Sequence, residues 1–353
     1  MKIGLVLPGN IWFCPYVKIY TEILEINNIE YDIISWNRDG SELHSDTTFN
    51  CVVKATNRFN KFKPFISYVK YIIHTLKSNN YNKLVVFGPQ LGILLYFFLK
   101  KHYYNKFILD YRDLSIEQLP LFKLIFNKLV LVSNLNVISS FGFIKYLPSG
   151  EYNISHNFNI QLIDDLNSQT SESIFKEEKI NILTIGSIRD YESNLEVVKS
   201  LGNNEKFILY FIGKGIASEL LKKYVKENNI NNVFFKGYYE KNEEESLIKN
   251  STFLNIFYPK IKSHSSAMSN RFYNSLIYKR PMIVTSKSVQ GDFVEKFNLG
   301  LSINNCNNLA EEIQYFKNNF DYKKFDDSTN KLLNDFKIDY DCFKIKIENF
   351  IQN

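Results

Sequence analysis

The sequence predicts an α/β protein built from two consecutive Rossmann-like, doubly wound parallel-sheet units and ended by a long helix. Short apolar runs alternate with helix-like segments along the chain. The alternation stops over a polar stretch at 162–178 and then restarts. Two strand–turn–helix junctions in the second half end in Gly-Ser or Ser-Asn with an arginine close by. Strands alternating with helices argue for a parallel sheet covered by helices on both faces. A chain of 353 residues, 45% of them hydrophobic, is long enough to build two ordinary cores.

In the first half the strand-like runs are 2–7, 31–36, 49–54, 83–87, 106–110 and 135–138. Amphipathic or apolar helical stretches lie between them at 17–26, 64–77, 90–102 and 116–132. Residues 162–178 are rich in Ser, Gln, Glu and Asp, carry no strand pattern and read as a linker. The second set of strands is 179–185, 206–212, 233–236, 253–257, 282–285 and 299–303. Its helices are 193–201, 216–228, 243–249, 270–278, 290–297 and 309–318. The tail 322–350 is helical, with Leu332, Leu333, Phe336, Phe343, Ile345, Ile347 and Phe350 as its apolar residues. This divides the chain into a first domain at 1–160, a linker at 161–178, a second domain at 179–335 and a final helix at 336–353 that packs toward the first. Ligands of such sheets bind beyond the carboxyl ends of the strands, so a cleft between two facing units is the expected site.

The charge balance narrows the function. There are 43 basic and 37 acidic residues, a net +6 spread along the chain with no basic arm. Nucleic acid is therefore not an expected partner, whereas phosphorylated substrates or an anionic membrane suit a mild positive charge. Cys14, Cys51, Cys306 and Cys342 show no CxxC or Cys/His spacing and read as free thiols of a reducing cytoplasm. Lys2 is followed at once by a strand, so no signal peptide is expected, which argues against an exported two-lobed binding protein. The longest apolar run, 91–99, is too short to span a bilayer, which takes about 20 residues. Asp164-Asp165 and Asp326-Asp327 fall in polar segments and read as solvated; no metal is expected.

The chemistry concentrates at two turns. Ser269-Asn270-Arg271 opens a helix that closes on Pro281 and a strand. The run from Ile182 ends in Gly186-Ser187-Ile188-Arg189. A helix N-terminus with free N–H groups and a nearby arginine attracts phosphate. Two such turns in one βα region suggest a nucleoside diphosphate. Gly213-Lys214-Gly215 also follows a strand and opens a helix, with a turn made tight for packing as the equal alternative.

Taken in order and spacing over nearly the whole chain, several patterns resemble GT-B glycosyltransferases, most closely the family 4 enzymes of bacterial capsule or O-antigen synthesis. They are Leu7-Pro8-Gly9-Asn10, Leu109-Asp110-Tyr111-Arg112-Asp113-Leu114, the stretch from Gly186 to Asn194, Phe211-Ile212-Gly213-Lys214-Gly215, Phe235-Lys236-Gly237-Tyr238 and the stretch from Ser269 to Pro281. The resemblance implies a nucleotide-sugar-binding second domain and an acceptor-side first domain. It implies a UDP or GDP donor, a hexosyl or N-acetylhexosaminyl group moved with retention, and no cofactor or metal. The acceptor is then a saccharide or a polyprenol-diphosphate-linked glycan.

It also implies roles. Arg189 and Arg271 stabilise the leaving diphosphate. Gly186, Ser187, Lys214, Ser269 and Asn270 line the donor. Gly9 and Asn10 bring the first loop close to it, and Tyr238 or Tyr239 stacks on its base. His264 lies in a loop that faces the sugar or the pyrophosphate. Asp110, Arg112 and Asp113 face the acceptor. Asp110 is the base if the enzyme inverts; otherwise it pairs with Arg112 or holds a loop. His156 lies near the crossover between domains, with loop structure as its plain reading.

Two departures stand out. The lysine expected a few residues after Arg189 is missing, and Glu192, Ser193 and Asn194 occupy that region. The two acids expected eight apart near the donor, the later one for the ribose, fall on Ser266 and Asn274. Asn274 still offers a donor and an acceptor. These losses keep a partner-binding, catalytically degenerate subunit in play, beside a GT-B epimerase or phosphorylase. The expected location is the cytoplasm. The apolar helix 91–99 with Lys100 and Lys101 is either buried or turned to a membrane, and the aromatic stretch 59–71 with Lys61, Lys63 and Lys70 fits the second reading.

Overall fold

The computed structural model describes residues 1–43, 45–53, 62–158, 160, 163, 174–175 and 177–353. Most of the linker, Asp164-Asp165, and residues 59–61 of the aromatic stretch lie outside the described residues. Contacts group Met1–Asn157 with Asp339–Asn353 as one unit and Phe158–Ile338 as the other.

The first unit holds strands β1 (Lys2–Val6), β2 (Glu30–Asn37), β3 (Thr48–Asn50), β4 (Lys83–Phe87), β5 (Phe107–Tyr111), β6 (Leu135–Ile138) and β7 (Asn153–Ile154). They form one sheet in the order β3-β2-β1-β4-β5-β6-β7, with every neighbour parallel. The central runs are buried on both faces, as parallel strands under helices must be. Helices α1 (Val17–Ile26), α2 (Phe62–Ser78), α3 (Pro89–His102) and α4 (Pro120–Val132) connect them. The helical stretch expected over 116–132 is split into a 3-10 turn, Ile116–Gln118, and α4. Pro120 has no N–H to continue a helix and is tolerated only in the first turn, where it starts α4.

The second unit holds β8 (Ile180–Ile185), β9 (Phe207–Ile212), β10 (Val233–Lys236), β11 (Phe253–Ile256), β12 (Met282–Thr285) and β13 (Gly300–Ile303). Their order is β10-β9-β8-β11-β12-β13, again all parallel. Its helices are α5 (Tyr191–Leu201), α6 (Ile216–Glu227), α7 (Glu244–Lys249), α8 (Lys262–Ser266), α9 (Asn270–Ile277), α10 (Val289–Phe297) and α11 (Leu309–Asn318).

The last helix, α12 (Tyr322–Gln352), serves both cores. Phe325, Leu332, Leu333 and Phe336 join the second core. Phe343, Ile347, Phe350 and Ile351 join the first, where Phe343 meets Tyr20 edge-on at 5.3 Å. Lys83 Nζ donates to the carbonyls of Phe350 and Ile351, satisfying the helix end. Asp326 is not solvated as expected: it is half-buried in a 2.6 Å ion pair with Lys279.

In each sheet the chain reverses direction of travel at one point, between β1 and β4 and between β8 and β11. Loops at the carboxyl ends of such strands diverge and leave a crevice, where open α/β sheets bind ligands.

Candidate active site

In the second unit the crevice beside β8 carries the predicted donor residues. Gly186 follows β8 at φ +92° and Gly213 follows β9 at φ +132°. A Cβ on Gly213 would stand 1.9 Å from the Gly186 carbonyl oxygen, and one on Gly215 would stand 2.0 Å from that of Ile188. The two loops are pressed backbone to backbone, which only glycine permits at these angles. Ser187 and Arg189 are exposed at the rim, with Arg189 Nε donating to Ser187 Oγ at 2.7 Å. Lys214 is exposed on the neighbouring loop, its Nζ 5.5 Å from the centre of the Tyr238 ring.

Arg271 takes a different place from Arg189. It is buried, and its guanidinium donates from Nε to Ile185 O at 2.5 Å, from Nη2 to Ser187 O at 2.9 Å and from Nη1 to Asn255 O at 3.3 Å. Three of its five N–H donors therefore tie the ends of β8 and β11 together. Ser269 caps α9, its Oγ accepting from Phe272 N at 3.3 Å. The same Ser269 donates from N and Oγ to Gln290 Oε1, at 3.1 and 2.7 Å. Asn270 is exposed at the first position of α9.

His264 sits in α8, a helix with no counterpart in the sequence reading. Its ring meets Tyr258 edge-on at 5.2 Å, and its Nδ1 is buried with no hydrogen-bond partner. Tyr258, Pro259, His264, Ser265, Thr285, Ser288 and Gln290 surround one narrow cleft. Asn194 is buried, and Asn255 Nδ2 donates both to its Oδ1 and to Thr184 Oγ1.

Sequence reasoning missed Glu244. This buried carboxylate at the start of α7 accepts from Asn274 Nδ2 at 3.0 Å, from Tyr239 Oη at 3.0 Å and from Lys241 Nζ. Tyr239 is half-buried, and burial together with the Glu244 charge raises its pKa; its Oη lies 3.9 Å from where a Cβ on Gly186 would be. Tyr238 is exposed and bonds Glu240 at 3.1 Å. No spacing pattern links residue 244 to residue 274, and only Tyr239, five residues before Glu244, hinted at this corner.

The first unit presents its own cluster beyond β1, β4 and β5. Asn10 is buried; its Nδ2 donates to Asp39 Oδ1 at 2.8 Å and its Oδ1 accepts from Arg38 N at 3.1 Å, which locks the first loop to the end of β2. A Cβ on Gly9 would meet only the Arg38 side chain, at 3.7 Å or more.

Asp110 has no solvent exposure. Its oxygens accept from Arg112 Nε at 2.5 Å, Arg112 Nη2 at 2.7 Å and Tyr20 Oη at 2.6 Å. Arg112 also donates to Ser155 O and Oγ, at 2.9 and 3.1 Å, and lies over the Tyr16 ring. Burial opposes the Arg112 charge, and the Asp110 carboxylate outweighs it, holding the guanidinium above its ordinary range. Asp113 is exposed and accepts from Leu114 N at 2.8 Å. Buried Glu117, a second miss of the sequence reading, takes Tyr111 Oη at 2.6 Å and the Ser115 N–H. His156 Nε2 lies 2.9 Å from Asp339 Oδ2, and burial lowers its pKa.

Among the described residues, no three His, Cys, Asp or Glu side chains are placed to hold a metal ion, and no helix is long and apolar enough to cross a membrane.

No protein-family model and no curated protein matches the sequence. Solved structures match over essentially the whole chain. The sucrose-phosphate synthase of Thermosynechococcus elongatus is 12% identical, with a TM-score of 0.74 and 100% of both chains covered. Anabaena HepE in complex with UDP and glucose is 13% identical, with a TM-score of 0.63, covering 100% of this chain and 99% of that one. The UDP-N-acetylglucosamine 2-epimerase of Rickettsia bellii is 10% identical, with a TM-score of 0.60 and 96% of both chains covered. The chain therefore has the GT-B fold of two Rossmann-like parallel-sheet domains.

Proposed function

We propose that this protein is a glycosyltransferase that moves a hexosyl or N-acetylhexosaminyl group from a nucleoside-diphosphate sugar, with UDP or GDP as carrier, to a growing bacterial surface glycan of the capsule or O-antigen type. The observation that carries the reading is the crevice beside β8. Gly186 and Gly213 bring the loops after β8 and β9 into backbone contact at the carboxyl ends of the strands, and Arg189 stands exposed beside them. The same fold holds UDP and glucose in HepE.

Residues 179–335 serve as the nucleotide-sugar domain and 1–160 as the acceptor-side domain, with 161–178 the linker and 336–353 the returning helix. The bond between the anomeric carbon and the phosphate oxygen breaks, and the acceptor hydroxyl oxygen bonds that carbon on the same face. The hydroxyl proton passes to the leaving phosphate, so the sugar is transferred with retention and no metal is required. Arg189 and Lys214 offset the charge that develops on the diphosphate, with the N–H of Ser187, while Gly186 and Asn270 line the same donor end. Arg271 holds those groups in place through its three carbonyl contacts. Tyr238 stacks on the base and Ser269 shapes the helix entrance. The unpartnered Nδ1 of His264 turns to the sugar. Glu244, joined to Asn274, supplies the carboxylate for the ribose hydroxyls.

In the first domain Gly9 and Asn10 flank the transferred sugar, and Arg112 and Asp113 receive the acceptor. Asp110 acts through Arg112, whose orientation it sets. The protein works in the cytoplasm, on a saccharide or polyprenol-diphosphate-linked acceptor. The fold shared with a 2-epimerase supports one rival, an epimerase of nucleotide sugars.

A thermal-shift series with UDP, GDP, CMP, TDP and ADP tests the reading. A diphosphate that binds the fold raises the midpoint with the logarithm of its concentration over its dissociation constant. A shift with UDP or GDP alone is the expected outcome, and no shift with any of them shifts the weight to a degenerate, partner-binding subunit. Incubation with the matching nucleotide sugar then separates transferase from epimerase, since only the second makes a new sugar nucleotide without an acceptor.

A further inference from the structure

Helix α4 is apolar on two sides. Phe126, Leu129, Val130 and Val132 face inward and are buried. On the outside, Leu121, Leu124, Lys128 and Leu131 follow at positions i, i+3, i+7 and i+10, which is one stripe of a helix. The three leucines are 69, 63 and 74% exposed. Neighbouring α3 packs so closely on α4 that a Cβ on Gly92 would stand 2.6 Å from Leu129 Cδ2. It adds Phe97, 76% exposed, while its Leu91, Ile93, Leu95 and Leu99 are buried. Of the two readings of the run 91–99, burial holds for Leu91, Ile93, Leu95 and Leu99, and the outward apolar surface belongs to α4 and Phe97.

Water does not explain such a surface, because contiguous exposed apolar area of this kind marks a contact site. Charge identifies the partner. Lys100, Lys101, Lys123 and Lys128 are exposed on these two helices, and neither helix carries an Asp or Glu. By contrast α6 exposes both signs, with Lys222–Glu219 and Lys223–Glu227 pairs on its surface. A second copy of this chain would bring the four lysines against four lysines with no acid between them, which is unfavourable. A uniformly negative lipid surface meets both requirements. Leucines enter the boundary of the acyl chains while lysines reach back to the headgroups.

We propose that the outer face of α4, with Phe97 and the end of α3, docks on an anionic phospholipid surface. The placement also bears on the acceptor. Helix α4 begins directly after the loop that carries Arg112, Asp113 and Glu117, joined by the turn Ile116–Gln118. Docking therefore sets the acceptor-side loop of this unit next to the bilayer, where a polyprenol-linked glycan presents its sugar. The docking surface stands without the glycosyltransferase reading, whereas the lipid-linked acceptor rests on it.

The full chain is sedimented with vesicles of phosphatidylglycerol and phosphatidylcholine in equal parts, and with vesicles of phosphatidylcholine alone. The parent binds the anionic vesicles roughly ten-fold more tightly, and added salt weakens that binding. Two variants are compared, Leu121→Ser/Leu124→Ser/Leu131→Ser and Lys123→Glu/Lys128→Glu. Each lowers binding to the anionic vesicles by about ten-fold or more. Both keep the parent's melting midpoint within a few degrees, because every changed side chain is exposed. Equal vesicle binding by parent and leucine variant overturns the proposal. So does a parent that binds neither vesicle, and so does a dimer that the leucine variant dissociates. The UDP-dependent midpoint shift is measured on the same samples; if it persists where vesicle binding is absent, the docking surface fails and the donor reading survives.

Discussion

Asn274 donates a 3.0 Å hydrogen bond from its side-chain nitrogen to the buried carboxylate of Glu244. The two residues come from different helices, α9 and α7, and the contact puts a negative charge where the chain's own helix α9 offers only an amide. Tyr239 closes the same corner from the other carboxylate oxygen.

Glu244→Gln keeps the shape and one acceptor while removing the charge. Hydrogen bonds to a charged group are worth about 1.5–3 kcal/mol, so UDP affinity is expected to fall about ten-fold to a hundred-fold. Isothermal titration reads this directly. Affinity equal to the parent's would take Glu244 out of the donor site.

The two arginines separate cleanly. Arg189→Ala leaves the melting midpoint unchanged, because the side chain is exposed, and weakens UDP binding. Arg271→Ala removes three hydrogen bonds to backbone carbonyls and lowers stability by about 2–4 kcal/mol before any ligand is added. Chemical denaturation of both variants checks this. An Arg271→Ala protein as stable as the parent would contradict the tie between β8 and β11.

Asp110→Asn strands the Arg112 charge in a buried setting. Breaking one side of such a pair costs about 3–5 kcal/mol. A double change, Asp110→Leu with Arg112→Met, is expected to recover much of the stability and none of the transfer. Recovery of transfer in the double variant would remove Arg112 from the acceptor side.

His156 makes stability depend on pH. Burial depresses its pKa below the ordinary value of about 6.5, against the pull of Asp339, with Arg112 adding to the depression. As pH falls, the unfolded chain therefore takes up this proton before the folded one does. The stability carried by neutral His156 is complete above about pH 6.5 and is lost as pH drops below it. In His156→Gln the drop in melting midpoint between about pH 7.5 and about pH 5.5 should be smaller than in the parent. An identical drop in both would assign the pH dependence to other groups.

Local pattern carried most of the architecture. Runs such as Ile180–Ile185 and Met282–Thr285, short, rich in β-branched and apolar residues and bounded by turn residues, fit strands buried on both faces of a parallel sheet. Gly186 and Gly213 marked the crevice because a positive φ and a backbone contact exclude any side chain there. Pro120 shows where pattern fails: the apolar periodicity runs through it, and the missing N–H splits the helix.

The sequence by itself thus determined the strand–helix alternation, the parallel sheets, the crevice glycines and the Gly-Ser and Ser-Asn turns, all of which depend on neighbours within a few residues. Tertiary structure alone decided that Arg271 is spent on carbonyls while Arg189 is exposed at the rim, that Glu244 reaches Asn274, that both oxygens of Asp110 are taken, and which leucines of α4 face outward. The physical reason is common to all four. Each is settled by which distant segment arrives to accept a hydrogen bond or cover a surface, and periodicity cannot name that segment, least of all for a helix that is apolar on both sides.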